Sequence, residues 1–144
     1  MSTIVVGVDG SAGARAALDF ALDEARLRAT DVRVVAAWQL PAVAYAGGYG
    51  LGDVQLLSEL EQDAGDHAAR ALEDADAGGV EVSTVVREGT PAQVLLEEAD
   101  GADLLVVGTR GLGGFRGLLL GSVSQQCAHH APCPLVIVPP PRDL

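Results

Sequence analysis

Residues 108–124 read GTRGLGGFRGLLLGSVS, a stretch rich in glycine, without an acid, that follows the apolar run Leu104 to Val107. Gly108 and Gly111 stand at its start, and after nine intervening residues come Gly121 and Ser122. Glycines let a backbone come close to a ligand, and a helix beginning at Ser122 would turn its free N–H groups and positive end toward the loop. With the hydroxyls of Ser122 and Ser124, and with Arg110 and Arg116 inside the loop, this makes an anion site that needs no lysine. The alternative is a glycine-rich connection that only joins strand to helix; the helix start and the absence of acids favour the anion site.

A second loop, Gly7-Val8-Asp9-Gly10-Ser11-Ala12-Gly13, follows the first apolar run. It is not a GxGxxG fingerprint, because Asp9 occupies the turn and a carboxylate would repel a pyrophosphate at a helix N-terminus. Asp9 is better suited to accept hydrogen bonds from a ribose hydroxyl or an adenine amine, or else it only caps the turn. The loop also lacks an SGGxDS-like pattern, which disfavours adenylyl transfer. The chain contains no lysine, which excludes a Walker A phosphate lysine, a Schiff base and a lysine general base.

The elements that must position these loops alternate along the chain. Thr3 to Val8 reads as a strand, and Ser11 is an N-cap for a helix whose apolar stripe is Ala14, Ala17, Leu18, Ala21, Leu22 and Ala25. Asp31 to Trp38 is a second strand. Residues 39–52 carry Pro41 and four glycines and read as a mobile loop, a lid or a tether. Asp53 to Ala77 is an acidic amphipathic helix stopped by Gly78-Gly79. Val80 to Val86 is a strand, Thr90-Pro91 opens a helix to about Ala99, Leu104 to Val107 is a buried strand, Ser122 to about His130 a helix, and Leu135 to Val138 the last strand. Most of the strands are apolar without alternation, so both faces are covered. The expectation is one domain over residues 1–144, a doubly wound α/β fold on a five-stranded parallel sheet, with ligands at the carboxyl ends of strands where the winding reverses.

Composition narrows the function. A net charge of −11 argues against nucleic-acid and anionic-membrane partners. The charge is uneven: Leu104 to Arg142 holds three arginines and no acid. No apolar run approaches the roughly 20 residues of a membrane span, and the N-terminus has no signal-peptide features, so a cytoplasmic protein is expected. Cys127, His129, His130 and Cys133 cluster in sequence, but the spacing fits no zinc pattern, and buried thiols with solvated histidines are the plainer reading.

The chain resembles the universal stress protein family, in its ATP-binding branch. The family's nucleotide motif (Gly, two residues, Gly, nine residues, Gly, then Ser or Thr) stands here as Gly108-Thr109-Arg110-Gly111, Leu112 to Leu120, and Gly121-Ser122. VGVDGS, VVAAW, GTPAQVLLEEA and PCPLVIVP extend the match over essentially the whole chain. The resemblance implies a flavodoxin-like, Rossmann-type sheet of order 3-2-1-4-5, as in the adenine nucleotide alpha hydrolase-like folds, with Asp9 and Gly108 facing each other at the reversal. It implies that Gly7 and Val8 line the adenine side, that Ala37 meets adenine through its backbone, and that Asp9 contacts ribose or adenine. Gly108, Arg110 and Gly111 would wrap ribose and phosphates, with Val107 beside them, and Gly121, Ser122, Val123 and Ser124 would bind phosphates. It further implies ATP with Mg²⁺ or Mn²⁺, the metal held mostly by phosphates and water, and a homodimer through Leu135 to Val138.

The function expected is nucleotide binding with regulatory output and little or no turnover, because the glycine loop offers no general base and Asp9 is the only nearby carboxylate. The alternative is a slow ATPase, or a nucleotidyl- or phosphoryl-transfer enzyme, on the same scaffold. A flavin domain is disfavoured by one Trp, two Tyr and two Phe, too few for isoalloxazine stacking.

Overall fold

A computed structural model describes residues 2–40, 54–109 and 120–140. Five strands alternate with helices: β1 (Thr3–Gly7), α1 (Ala12–Arg28), β2 (Asp31–Trp38), α2 (Val54–Glu73), β3 (Val82–Glu88), α3 (Pro91–Glu98), β4 (Leu104–Gly108), α4 (Ser122–His130) and β5 (Leu135–Val138). All strand pairings are parallel, in the order β3-β2-β1-β4-β5. The sheet is the one expected from the unbroken apolar runs. Ile4, Val6, Val32, Val34, Leu104 and Val106 pack with the small-residue stripes of α1 and α2 on one face. Val5, Val35, Leu105 and Val107 pack with Val94 and Leu95 of α3 and Cys127 of α4 on the other. A strand sandwiched this way has no polar side, which is why its sequence does not alternate. Each fully buried Val or Leu contributes about 1.5–3 kcal/mol.

Helix starts follow the capping residues. Ser11 Oγ accepts the Ala14 N–H at 3.1 Å and Thr90 Oγ1 the Gln93 N–H at 3.4 Å, with Pro91 in the first turn. Two elements depart from the expected bounds by two residues or more. The acidic helix ends at Glu73, four residues before Ala77; Ala75 N–H bonds to the Leu72 carbonyl, a tightened last turn, and Gly78 and Gly79, both at positive φ, shape the turn after it. The third strand runs Val82–Glu88 and not Val80–Val86: Val80 N–H is taken by the Ala77 carbonyl in that turn, and pairing with β2 continues to Trp38 opposite Glu88. The loop expected over residues 39–52 falls mostly outside the described residues, only its first two lying within them.

The sheet winds both ways from its middle. From β1 the chain passes to α1 on one face, and from β4 to α4 on the other. The ends of two hydrogen-bonded strands thereby part and leave a crevice beyond Gly7 and Gly108.

Candidate functional site

That crevice is a cavity of about 290 Å³. Gly7, Val8, Asp9, Ala37, Val107, Gly108, Gly121, Ser122, Val123 and Ser124 all line it, so the structure brings together every expected site residue that it describes. Arg110 and Gly111 lie outside the described residues. Six further residues complete the lining: Ser11, Ala14, Val35, Pro91, Leu95 and Thr109. Val8, Val35, Ala37, Pro91, Leu95 and Val107 make an apolar wall, and hydroxyls and backbone groups of the Asp9–Ser11 turn, Thr109 and the start of α4 make the polar one.

Two glycines are required by close approach. A Cβ on Gly7 would sit 2.9 Å from Leu95 Cδ1, so the missing side chain makes room for the α3 leucine that forms the wall. A Cβ on Gly108 would sit 2.9 Å from both the carbonyl carbon and the oxygen of Gly13. Those are main-chain atoms of α1, which cannot swing away as a side chain can. Gly108 therefore sets how close the β4 end lies to α1, and hence the width of the crevice.

The two ends of the glycine-rich segment are tied at Thr109. Its carbonyl accepts the Gly121 N–H at 2.6 Å and the Ser124 hydroxyl at 2.8 Å, while its own N–H donates to the Val138 carbonyl at 3.1 Å. Ser124 Oγ also lies 3.0 Å from the Gly121 carbonyl. Both neighbours of that buried hydroxyl are acceptors, so its single proton is committed to them and not offered to the cavity. The Ser124 hydroxyl, expected to bind phosphate, closes the loop instead, and the Gly121 N–H is used in the same way. What remains at the helix end are the N–H groups of Ser122, Val123 and Ser124. Gly121 is the N-cap of α4, in extended conformation, and has no side chain to satisfy them.

The α1 end differs. Ser11 caps it, and Asp9 Oδ1 accepts the Ser11 N–H at 3.0 Å. Asp9 thus caps the turn, as one of its two expected readings had it, while still lining the cavity.

The cysteine and histidine cluster stays apart from the crevice. Burial pushes the Cys127 thiol up to about 11, and burial together with the Asp103 carboxylate raises Cys133, so both are held as thiols. Among the described residues no group of three or more His, Cys, Asp or Glu converges on a metal position. Nor is any described helix long and apolar enough to cross a membrane.

Sheet order, two-sided winding and a crevice at the switch point place the molecule among the doubly wound α/β binding folds. The chain belongs to the universal stress protein family, whose model matches residues 1–139. It is 34% identical over 143 residues to a universal stress protein of Mycolicibacterium smegmatis, covering 95% of this chain and 45% of that one. A Methanocaldococcus jannaschii universal stress protein is 33% identical, with 96% and 82% covered. The chain thus spans less than half the length of its mycobacterial relatives. Among solved structures, the hypothetical protein MJ0577 shares the fold with a TM-score of 0.82 at 19% identity, over 99% and 98% of the two chains. A universal stress protein in complex with cAMP is 31% identical with a TM-score of 0.63, over 97% and 98%. The Archaeoglobus fulgidus universal stress protein in complex with dAMP is 26% identical with a TM-score of 0.59, over 96% and 98%.

Proposed function

We propose that the chain binds ATP in the crevice between β1 and β4 and acts as a dimeric regulatory protein of the cytoplasm, with nucleotide occupancy as its signal and little or no turnover. The observation that carries this reading is the α4 N-terminus, without a side-chain cap, lining a cavity whose other lining residues are largely apolar. In the proposed pose adenine lies against Val8, Val35, Ala37 and Leu95, with Gly7 and Val107 beneath, and Asp9 accepts from the ribose. Phosphates lie on the N–H groups of Ser122, Val123 and Ser124 beside Gly108 and Gly121, wrapped by Arg110 and Gly111. The described lining offers hydroxyls and N–H groups and a single carboxylate. A Mg²⁺ or Mn²⁺ bound with ATP would therefore take its ligands from phosphate oxygens and water. Solved relatives that hold cAMP and dAMP support an adenine nucleotide and favour a second reading, in which the ligand is a monophosphate.

Turnover needs a base. Asp9 is the only carboxylate in the described lining, and it already accepts the Ser11 N–H. The dimer is proposed through β5, which pairs with β4 along one edge and carries half-buried apolar residues along its length. Pairing with a second copy would cover the other edge, an aggregation hazard if left open.

Native mass spectrometry of the purified chain tests the ligand and the assembly together: two copies carrying ATP are expected. Bound AMP would select the monophosphate reading, and a chain that arrives empty and shows no heat with ATP or AMP in calorimetry would sink both. Timed conversion of ATP to ADP, with Asp9→Ala as control, separates holding from hydrolysis. Multiple turnovers lost in the control would make the chain a slow ATPase.

A further inference from the structure

Beyond the Asp9-Gly10-Ser11 turn, on its side away from the crevice, lies a second cleft of about 150 Å³. At about half the volume of the crevice, it suits an ion or a single substituent better than a nucleoside. Its walls are the first turn of α1 and the C-terminal part of α2, and its polar lining is Ser11, Arg15, His67 and Arg70. Two of the nine cationic side chains and one of the three histidines of a chain with net charge −11 thus face one small space.

The backbone amides of Ser11, Ala14 and Arg15 are already taken. Asp9 takes the Ser11 N–H, the Ser11 hydroxyl takes that of Ala14, and the Ser11 carbonyl takes that of Arg15. Binding would come from side chains. Arg70 donates Nε to the Asp66 carbonyl of its own helix at 3.4 Å, and its two terminal nitrogens have no partner among the described residues. Ser11 Oγ accepts from Ala14 and keeps its proton to donate. Arg15 pairs with Asp74 at 3.3 Å, but both side chains are more than half exposed, so the pair is weak and Arg15 can change partner at little cost. Gly10, at φ +88°, forms the floor; a Cβ there would stand 3.1 Å from His67 Cδ2, so the glycine lets the imidazole lie over the turn.

We propose that this cleft is a second, small oxyanion site, taking one phosphate group between Arg70, His67, Arg15 and the Ser11 hydroxyl. The phosphate arrives free or as the phosphoryl group of a small monoester. The two clefts share Ser11 and Ala14 across the turn that carries Asp9, so an anion here would stiffen one wall of the crevice. The site does not depend on the crevice holding ATP.

The test is an amide NMR titration of the full chain with inorganic phosphate and, in a second arm, glycerol phosphate. Shifts are expected at Gly10, Ser11, His67 and Arg70, and they should persist in Gly121→Glu, where the α4 end is blocked. Arg70→Gln, an exposed substitution, should weaken binding about tenfold, as loss of a charge-assisted contact does; His67→Gln gives an independent check. Saturation in one arm only identifies the source of the phosphate group. Shifts confined to Gly108 and Ser122–Ser124, or affinity unchanged in both variants, would overturn the site while leaving the crevice reading intact.

Discussion

Two helices begin at the rim of the same crevice and end their backbones in opposite ways. At α1 the sequence puts Ser11 on the cap and Asp9 behind it, so the Ser11 and Ala14 N–H groups are met by side chains of the chain itself. At α4 the cap is Gly121, which has no side chain to offer, and the first-turn N–H groups of Ser122, Val123 and Ser124 are left to the cavity. Helix-end N–H groups without a partner in the chain are met by water or by a ligand. The contrast separates the two roles: the α1 side carries a carboxylate and suits hydroxyl or amine donors, and the α4 side suits an anion.

The largest effect should come from making the α4 end resemble the α1 end. Gly121 lies at φ −76° and ψ 173°, backbone that any residue adopts, so Gly121→Glu adds no backbone strain. Its carboxylate would reach the same N–H groups. Nucleotide affinity should fall at least 100-fold, about 2.7 kcal/mol, while the melting temperature holds or rises, since an acid at a helix start is favourable. Near-native affinity in calorimetry would mean that phosphates do not lie there.

Next comes the seam that holds the two ends together. Gly108→Ala places a methyl 2.9 Å from the Gly13 main chain and should force β4 and α1 apart, at a cost of about 1–3 kcal/mol. Both urea stability and nucleotide affinity should drop. Gly7→Ala meets a leucine side chain that can rotate, and should cost less in the same two measurements.

A pair of serines sharpens the contrast further. Ser11→Ala removes a cap and should cost about 0.5–2 kcal/mol of stability. Ser124→Ala removes a buried hydroxyl that donates to Thr109, whose carbonyl keeps the Gly121 N–H, and should cost about 1 kcal/mol. If the Ser124 hydroxyl were a phosphate ligand, affinity would fall in full with stability untouched, the reverse of the expectation.

What could be read from sequence follows from which signals are local. The uninterrupted runs at Ile4–Val6, Val34–Ala36 and Leu104–Val107 announce two-faced burial, and Ser11 and Thr90 announce helix starts, because each property belongs to the residue itself. The end of α2 was not legible, since it depends on how the chain turns at Gly78 and Gly79 to bring Val82 opposite Val32. At the site, the glycines and serines of the loop stood out, whereas Val35, Pro91 and Leu95 reach it only through sheet register and helix packing. Thr109 acts through its carbonyl, which no side-chain pattern marks. Ser124 was visible as a residue of the site, but the direction in which its hydroxyl points is a property of the fold.

The smallest effect concerns a wall that neither helix end controls. Pro91 and Leu95 belong to α3, which is held at its far end by Arg87, bonded to Glu97 at 2.6 Å and Glu98 at 3.0 Å, with Arg33 3.6 Å from Glu98. The Arg87 guanidinium, and then the Gln93 amide, hold the Glu97 carboxyl below its ordinary value of 4.5. A carboxyl lowered by folding contributes stability above its unfolded value and loses it as pH falls through the folded one. Wild type should therefore exceed Glu97→Gln slightly in urea midpoint at neutral pH, with the gap closing below about pH 4.5 and shrinking in high salt because the groups are exposed. Nucleotide affinity at neutral pH should stay nearly level, since Leu95 is also fixed by burial in its own core. A large affinity loss in Glu97→Gln would show that the apolar wall hangs on this clamp, and that the crevice is set by three helices and not by the two that begin at its rim.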